Sequence, residues 1–149
     1  MKTNSKLRHA VLLCVIAASA TTLAAEVKVS LGGDQEVPPV STKAAGSGVL
    51  TINKDMSVSG GIATAGVAAT MAHIHIGKAG TNGPVVVTLN RNGDNGWVAP
   101  HGARLTEAQY QSYLAGDLYV NVHSEAHKGG EIRGQLVPPM AAPARMPGY

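Results

Sequence analysis

The chain has 149 residues, a formal net charge of +3 and a single cysteine. That is enough for one domain, and the lone cysteine excludes a disulfide framework. The positive balance is a property of the first residues: three of the twelve Lys and Arg lie before Ala25 with no acid beside them, leaving nine charges of each sign beyond. A basic footprint for nucleic acid is therefore missing.

Lys2, Lys6 and Arg8 precede an apolar run, Ala10 to Ala20, that is too short to span a bilayer as a helix. Thr22-Leu23-Ala24 offers small residues at the cleavage positions, so residues 1–24 read as a secretory signal peptide, with a cut after Ala25 as the alternative. Cys14 has Leu13 before it rather than a small residue, which rejects a lipoprotein. The expected location is periplasmic or secreted, with no membrane span in the mature chain.

Glycine is abundant beyond this point, phenylalanine is absent, and Val, Ile and Thr recur in short alternating runs. About 125 residues suffice for a β-sandwich. Alternation predicts strands over 26–31, 46–52 and 56–62, the last interrupted by Gly60-Gly61 as a bulge signal. Gln35 to Val40 carries Pro38 and Pro39 and reads as a rigid segment guarding a sheet edge. Residues 63–69 read as a connection.

Met71 to Ile76 is the next strand. Side chains at i and i+2 share a face. His73 and His75 therefore stand together, opposite Ile74 and Ile76. Gly77 to Pro84 reads as a glycine-rich turn, without the lysine pattern of a phosphate loop. A strand over 84–90 puts Val85, Val87 and Leu89 on one face. Residues 90–96 read as a loop, and 97–104 as irregular chain containing His101.

Thr106 with Gln109 forms a capping box, Leu105 and Tyr110 occupy the staple positions, and Gly116 closes the helix. Tyr110, Tyr113 and Leu114 give it an apolar stripe. In the strand 117–124, Leu118, Val120 and Val122 share one face, and Tyr119, Asn121 and His123 the other. The last strand, 131–137, turns Ile132 and Leu136 inward and Glu131, Arg133 and Gln135 outward. The Pro/Ala-rich tail, 138–149, is expected to be disordered.

Three imidazoles on non-core faces, His73, His75 and His123, suit a copper-type ion or zinc if their strands pair. Glu131 is a candidate to orient a ligand ring. His101 and His127 are alternative ligands, each also consistent with a solvent-exposed loop residue. Met140 and Met146 offer thioethers in the tail. The competing reading is a metal-free polar network. No complete catalytic constellation is present, which argues against an enzyme.

Val27-Lys-Val-Ser-Leu with Gln35-Glu-Val-Pro-Pro-Val40, Ala72-His-Ile-His with Gly80-Thr-Asn-Gly-Pro-Val85, Gly116-Asp-Leu-Tyr-Val-Asn-Val-His123 and Gly130-Glu-Ile-Arg-Gly-Gln-Leu136 together resemble the CHRD (chordin) domain. The resemblance covers about Val27 to Leu136. It implies an extracytoplasmic β-sandwich of immunoglobulin-like, Greek-key type with one short helix near 106–115, similar in fold to copper/zinc superoxide dismutases. In that enzyme a His-x-His strand and a later histidine help bind copper, and His73, His75 and His123 match in type and order. The dismutase's zinc ligands and disulfide have no counterpart here. The expected function is thus a binding module, with or without a copper-type ion. The alternatives are a metal-free domain for a protein or carbohydrate partner, and a superoxide-related redox enzyme.

Overall fold

A computed structural model describes residues 26–139. The expected signal peptide and the tail beyond Pro139 lie outside the described residues. Among the described residues, no helix is long and apolar enough to cross a membrane.

The chain is all-β with one short α-helix. The strands are β1 (Glu26–Gly32), β2 (Ala45–Ile52), β3 (Val58–Ala65), β4 (Ala69–Ile76), β5 (Val85–Thr88), β6 (Asn90–Asn92), β7 (Gly96–Val98), β8 (Leu118–Ser124) and β9 (Ile132–Leu136); α1 is Glu107–Leu114. All pairings are antiparallel, in the order β5-β4-β8-β9-β1-β2-β3-β7-β6. β5 and β6 are separated only by Leu89. One bent run of chain thus pairs with β4 at its start and with β7 at its end, so the sheet nearly closes into a barrel-like sandwich. Leu89 itself is buried, and its amide donates to the Ala72 carbonyl at 2.9 Å. Closure leaves few strand edges to protect.

The core follows the alternation. Val27, Val29, Leu31, Leu50, Ile52, Ile74, Leu118, Val120, Val122, Ile132 and Leu136 fill the interior. Each such side chain contributes about 1.5–3 kcal/mol by leaving water. The helix has the expected capping box, with Thr106 and Gln109 exchanging hydrogen bonds, and Gly116 ends it at φ +78°. Its stripe is narrower than expected: Tyr113 is buried, but Leu114 is exposed.

Several boundaries differ from the sequence reading, each for a tertiary reason. The connection expected over 63–69 is mostly strand, because β2 pairs with β3 out to Ala65. No bulge forms at Gly60-Gly61; the ladder to β2 runs through both without a shift. These glycines allow close approach instead, since a Cβ on Gly61 would lie 2.2 Å from the Trp97 carbonyl oxygen. The loop expected over 90–96 is a hairpin, β6–β7, and Trp97 is a buried strand residue with Arg91 over its ring at 4.6 Å. Val85 is exposed rather than facing the core with Val87.

The largest difference concerns the second face of β8 and β9. Every residue of β8 is buried. Glu131 and Arg133, expected to point outward into water, are also buried, Arg133 to 1% exposure. Three pieces of chain cover this face: the 77–84 loop, the Lys128–Gly130 turn, and the 33–40 segment. The last lies against β9 rather than along an edge. Its Val37 carbonyl accepts from Asn82 at 2.8 Å, and Glu36 is buried above Gly130, where a Cβ would meet Glu36 Oε1 at 2.4 Å. Gly130 has φ +132°, so the turn and the close approach both require glycine there.

Candidate metal centre

β4 and β8 are neighbours, and their register sets Met71 opposite His123, His73 opposite Asn121 and His75 opposite Tyr119. Residues paired this way share a face. The expected trio therefore meets: one ring nitrogen from each of His73, His75 and His123 lies within 4.8 Å of the others. His73 is half-buried, and His75 and His123 are buried.

Hydrogen bonds fix the tautomers. His75 Nδ1 lies 2.8 Å from the Gly83 carbonyl oxygen, and His123 Nδ1 lies 2.9 Å from that of Lys128. A carbonyl only accepts, so both Nδ1 atoms carry a proton, and in the neutral form of each ring the lone pair is on Nε2. His123 Nε2 then accepts from His73 Nδ1 at 3.0 Å. His75 Nε2 is buried and has no hydrogen-bond partner.

An imidazole held at Nδ1 by a carbonyl, with Nε2 turned into a cluster of other imidazoles, is the arrangement that orients a metal ligand. An ion with ligand nitrogens at about 2.0–2.1 Å holds them about 3–4 Å apart. The His73–His123 pair already meets this spacing, so binding asks only a small rearrangement of His75. His73 would move its proton from Nδ1 to Nε2, and its exposure lets solvent exchange it. The residues fit a metal ion. Burial is the main cause that pushes His73 and His75 below the ordinary imidazole range; at His75 the Gly83 bond and the nearby Asn121 amide partly offset it, while neighbouring imidazoles at both rings, and Arg133 at His75, add to it. Both shifts favour the neutral ring, the form that offers a lone pair to an ion.

The ring of His75 stacks on Tyr119 at 4.9 Å and 6°. Tyr119 Oη in turn accepts from the Gly83 amide at 3.2 Å, and the Arg133 guanidinium lies over its ring at 3.4 Å. Arg133 donates to the Lys78 carbonyl at 3.0 Å and to Asn82 Oδ1 at 3.3 Å. These contacts lock the 77–84 loop, and through Gly83 they lock His75.

The other sequence candidates lie elsewhere. His101 is exposed in the turn between β7 and α1. His127 sits beyond the end of β8, where its amide bonds back to Ser124. Neither belongs to the cluster. Glu131 accepts from Thr42 Oγ1 at 2.7 Å and from Ser124 Oγ, and bonds none of the three imidazoles. The orienting role expected of this carboxylate falls to the carbonyls of Gly83 and Lys128. Sequence reasoning placed Tyr119 on the His123 face without giving it a part in the site, and it did not single out Gly83, whose carbonyl carried no signal.

Glu131 gives a pH prediction. The Ser124 hydroxyl, and secondarily Thr42 and the charge of His127, hold its carboxyl below the ordinary 4.5 against an opposing effect of burial. A depressed folded pKa stabilises the fold above about pH 4.5, and the contribution is lost as pH falls through the folded value. Glu131→Gln should lower the urea midpoint at pH 7, with the gap to wild type narrowing at pH 3. An equal gap at both values would refute this.

A family model for the CHRD domain matches residues 27–136. No curated protein and no solved structure matches the chain. The matched span runs from the second residue of β1 to the last of β9 and includes all three clustered histidines, and the chain belongs to the CHRD domain family.

Proposed function

We propose that this protein is an extracytoplasmic binding module that holds a copper-type metal ion through His73, His75 and His123. The observation that carries the reading is the meeting of one ring nitrogen from each of three histidines within 4.8 Å, with His75 Nε2 buried and hydrogen-bonded to no other group. A buried nitrogen lone pair with no partner costs about 1–3 kcal/mol, and a metal ion removes that cost. Neutral imidazoles suit copper and zinc, with copper the tighter. Zinc is the alternative ion at the same ligands. Among the described residues no carboxylate or hydroxyl nucleophile hydrogen-bonds any of the three imidazole rings, which favours binding over catalysis. A superoxide-related redox activity, the remaining enzymatic possibility, lacks a second metal site among the described residues.

A second reading, a metal-free domain for a protein or carbohydrate partner, is favoured by one feature. A cleft of about 380 Å³ opens between the 33–40 segment and the 77–84 loop, with Glu36, Pro39, Gly80, Arg133 and Gln135 among its walls.

Titration of the purified protein with Cu(II) and Zn(II), beside a His73→Ala/His75→Ala variant, separates the two. The metal reading predicts micromolar or tighter binding, roughly 8 kcal/mol or more, that the variant loses. Equal, weak binding by both proteins would leave the metal-free reading.

A further inference from the structure

We propose that Met71 is a fourth ligand of this site and that its thioether lets the site hold copper as Cu(I). The inference rests on the metal reading above and extends it to a residue and an oxidation state.

Register and burial place the residue. Met71 is directly opposite His123 across the β4–β8 pair and two positions from His73. Alternation along β4 is unbroken from here: Ala72 and Ile74 are fully buried in the core, while Met71, His73 and His75 take the other face. A register shift between Ala69 and Met71 marks a bulge at the start of this run, a device that re-aims side chains beside sites. Directly opposed Cβ atoms lie about 4.5–5.5 Å apart. The methionine sulfur sits at the end of an unbranched arm that turns about two bonds, long enough to reach across that gap. Met71 is 48% exposed, which is unusual for a large apolar side chain on a strand whose other large apolar residues are buried or half-buried. It is two positions along the same strand face from the half-buried His73.

The donor set favours the lower charge. Thioether sulfur is soft and selects Cu(I), whereas Zn(II) and Cu(II) take imidazole readily without it. Three neutral imidazoles and a neutral sulfur supply no anion to balance a dication. The buried carboxyls nearby are engaged elsewhere: Glu131 accepts from Thr42 and Ser124, and Glu36 lies beside Asn121 and Arg133. A buried cation lies close by instead: Arg133 and His75 stack on the same Tyr119 ring. The Glu36 carboxyl beside this guanidinium offsets its charge, so the preference for the lower oxidation state rests on the soft, neutral donor set.

The test is anaerobic competition for Cu(I) against a chromophoric chelator, run on the full chain and on Met71→Leu, with Cu(II) titrations of both. Leucine keeps the size and apolar character of an exposed side chain, so folding is preserved. The expected result is a loss of about tenfold or more in Cu(I) affinity, with Cu(II) affinity changed less than about threefold. X-ray absorption of the Cu(I)-loaded wild type should show a sulfur neighbour that Met71→Leu lacks. Equal Cu(I) affinities, or a sulfur neighbour that persists in the variant because Met140 or Met146 supplies it, would overturn the assignment while leaving the histidine site standing. A wild type that binds neither copper ion would overturn both.

Discussion

Gly83→Ala is expected to destabilise the protein by about 2–4 kcal/mol and to weaken metal binding about 10–100-fold. A Cβ at this position would lie 1.8 Å from the Ile76 carbonyl oxygen and 3.0 Å from its carbon, both rigid backbone atoms. The loop has to lift away. Lifting breaks the bond from the Ile76 amide to the Pro84 carbonyl at 3.0 Å, the Gly83 amide to Tyr119 Oη at 3.2 Å, and His75 Nδ1 to the Gly83 carbonyl at 2.8 Å. Each such bond contributes about 1 kcal/mol net, and a buried group left unpaired costs more. The last of the three sets the tautomer and angle of His75, so stability and affinity should fall together. Urea unfolding and a copper titration on one preparation read both. A variant with the wild-type midpoint and wild-type affinity would show that the loop does not hold the ring.

Arg133→Ala is the other substitution with a large expected effect, about 3–5 kcal/mol. Arg133 is the largest of the fully buried side chains. Its removal leaves a void on the outer face of β9, takes the donor from Asn82 Oδ1, and leaves the Lys78 carbonyl held only from within its own loop by Thr81. It also uncovers the ring of Tyr119. Lysine should rescue less than half of the loss, because one ammonium cannot both stack flat on Tyr119 and reach two acceptors. Thermal unfolding of the three proteins gives the order wild type, Arg133→Lys, Arg133→Ala. Hydrogen exchange should show protection lost first over residues 77–83. A fully rescuing lysine would mean that charge alone, and not the planar fork, holds the loop.

Much of this site was legible in the chain because it is built on strands. The period-2 alternation of Ala72-His-Ile-His and of Leu118 to His123 separates core from imidazole, and it does so without knowledge of the partner strand. The helix was legible for the same kind of reason, since Thr106, Gln109 and Gly116 act within one turn of their own backbone. What alternation does not encode is what lies on top of the non-core face. Glu131, Arg133 and Gln135 read as a wet face because charged residues alternate with apolar ones. Glu131 and Arg133 are buried and Gln135 half-buried because chain distant in sequence, Thr42 at Glu131 and the 33–40 and 77–84 segments at Arg133 and Gln135, folds over them. Gln135, for example, donates to the carbonyls of Gly77 and Gly116, each at 2.9 Å. The same blindness hid the β6–β7 hairpin: Asn90 to Gly96 has turn composition, and only its pairing with Trp97 and the closure of the sheet make it strand. The tautomers were equally out of reach, since Gly83 and Lys128 act through backbone oxygens that every residue carries.

The central claim is that His73, His75 and His123 form one metal site with tautomers set by two carbonyls. Side-chain nitrogen NMR on the histidines, before and after addition of diamagnetic Zn(II), tests it most directly. The expected spectrum of the metal-free protein shows His75 and His123 as Nδ1–H tautomers. On addition of metal their Nε2 resonances should shift while Nδ1 stays protonated, and His73 should move its proton from Nδ1 to Nε2. His101 and His127 should not respond. Shifts confined to His101 or His127, or none at His75, would contradict the site.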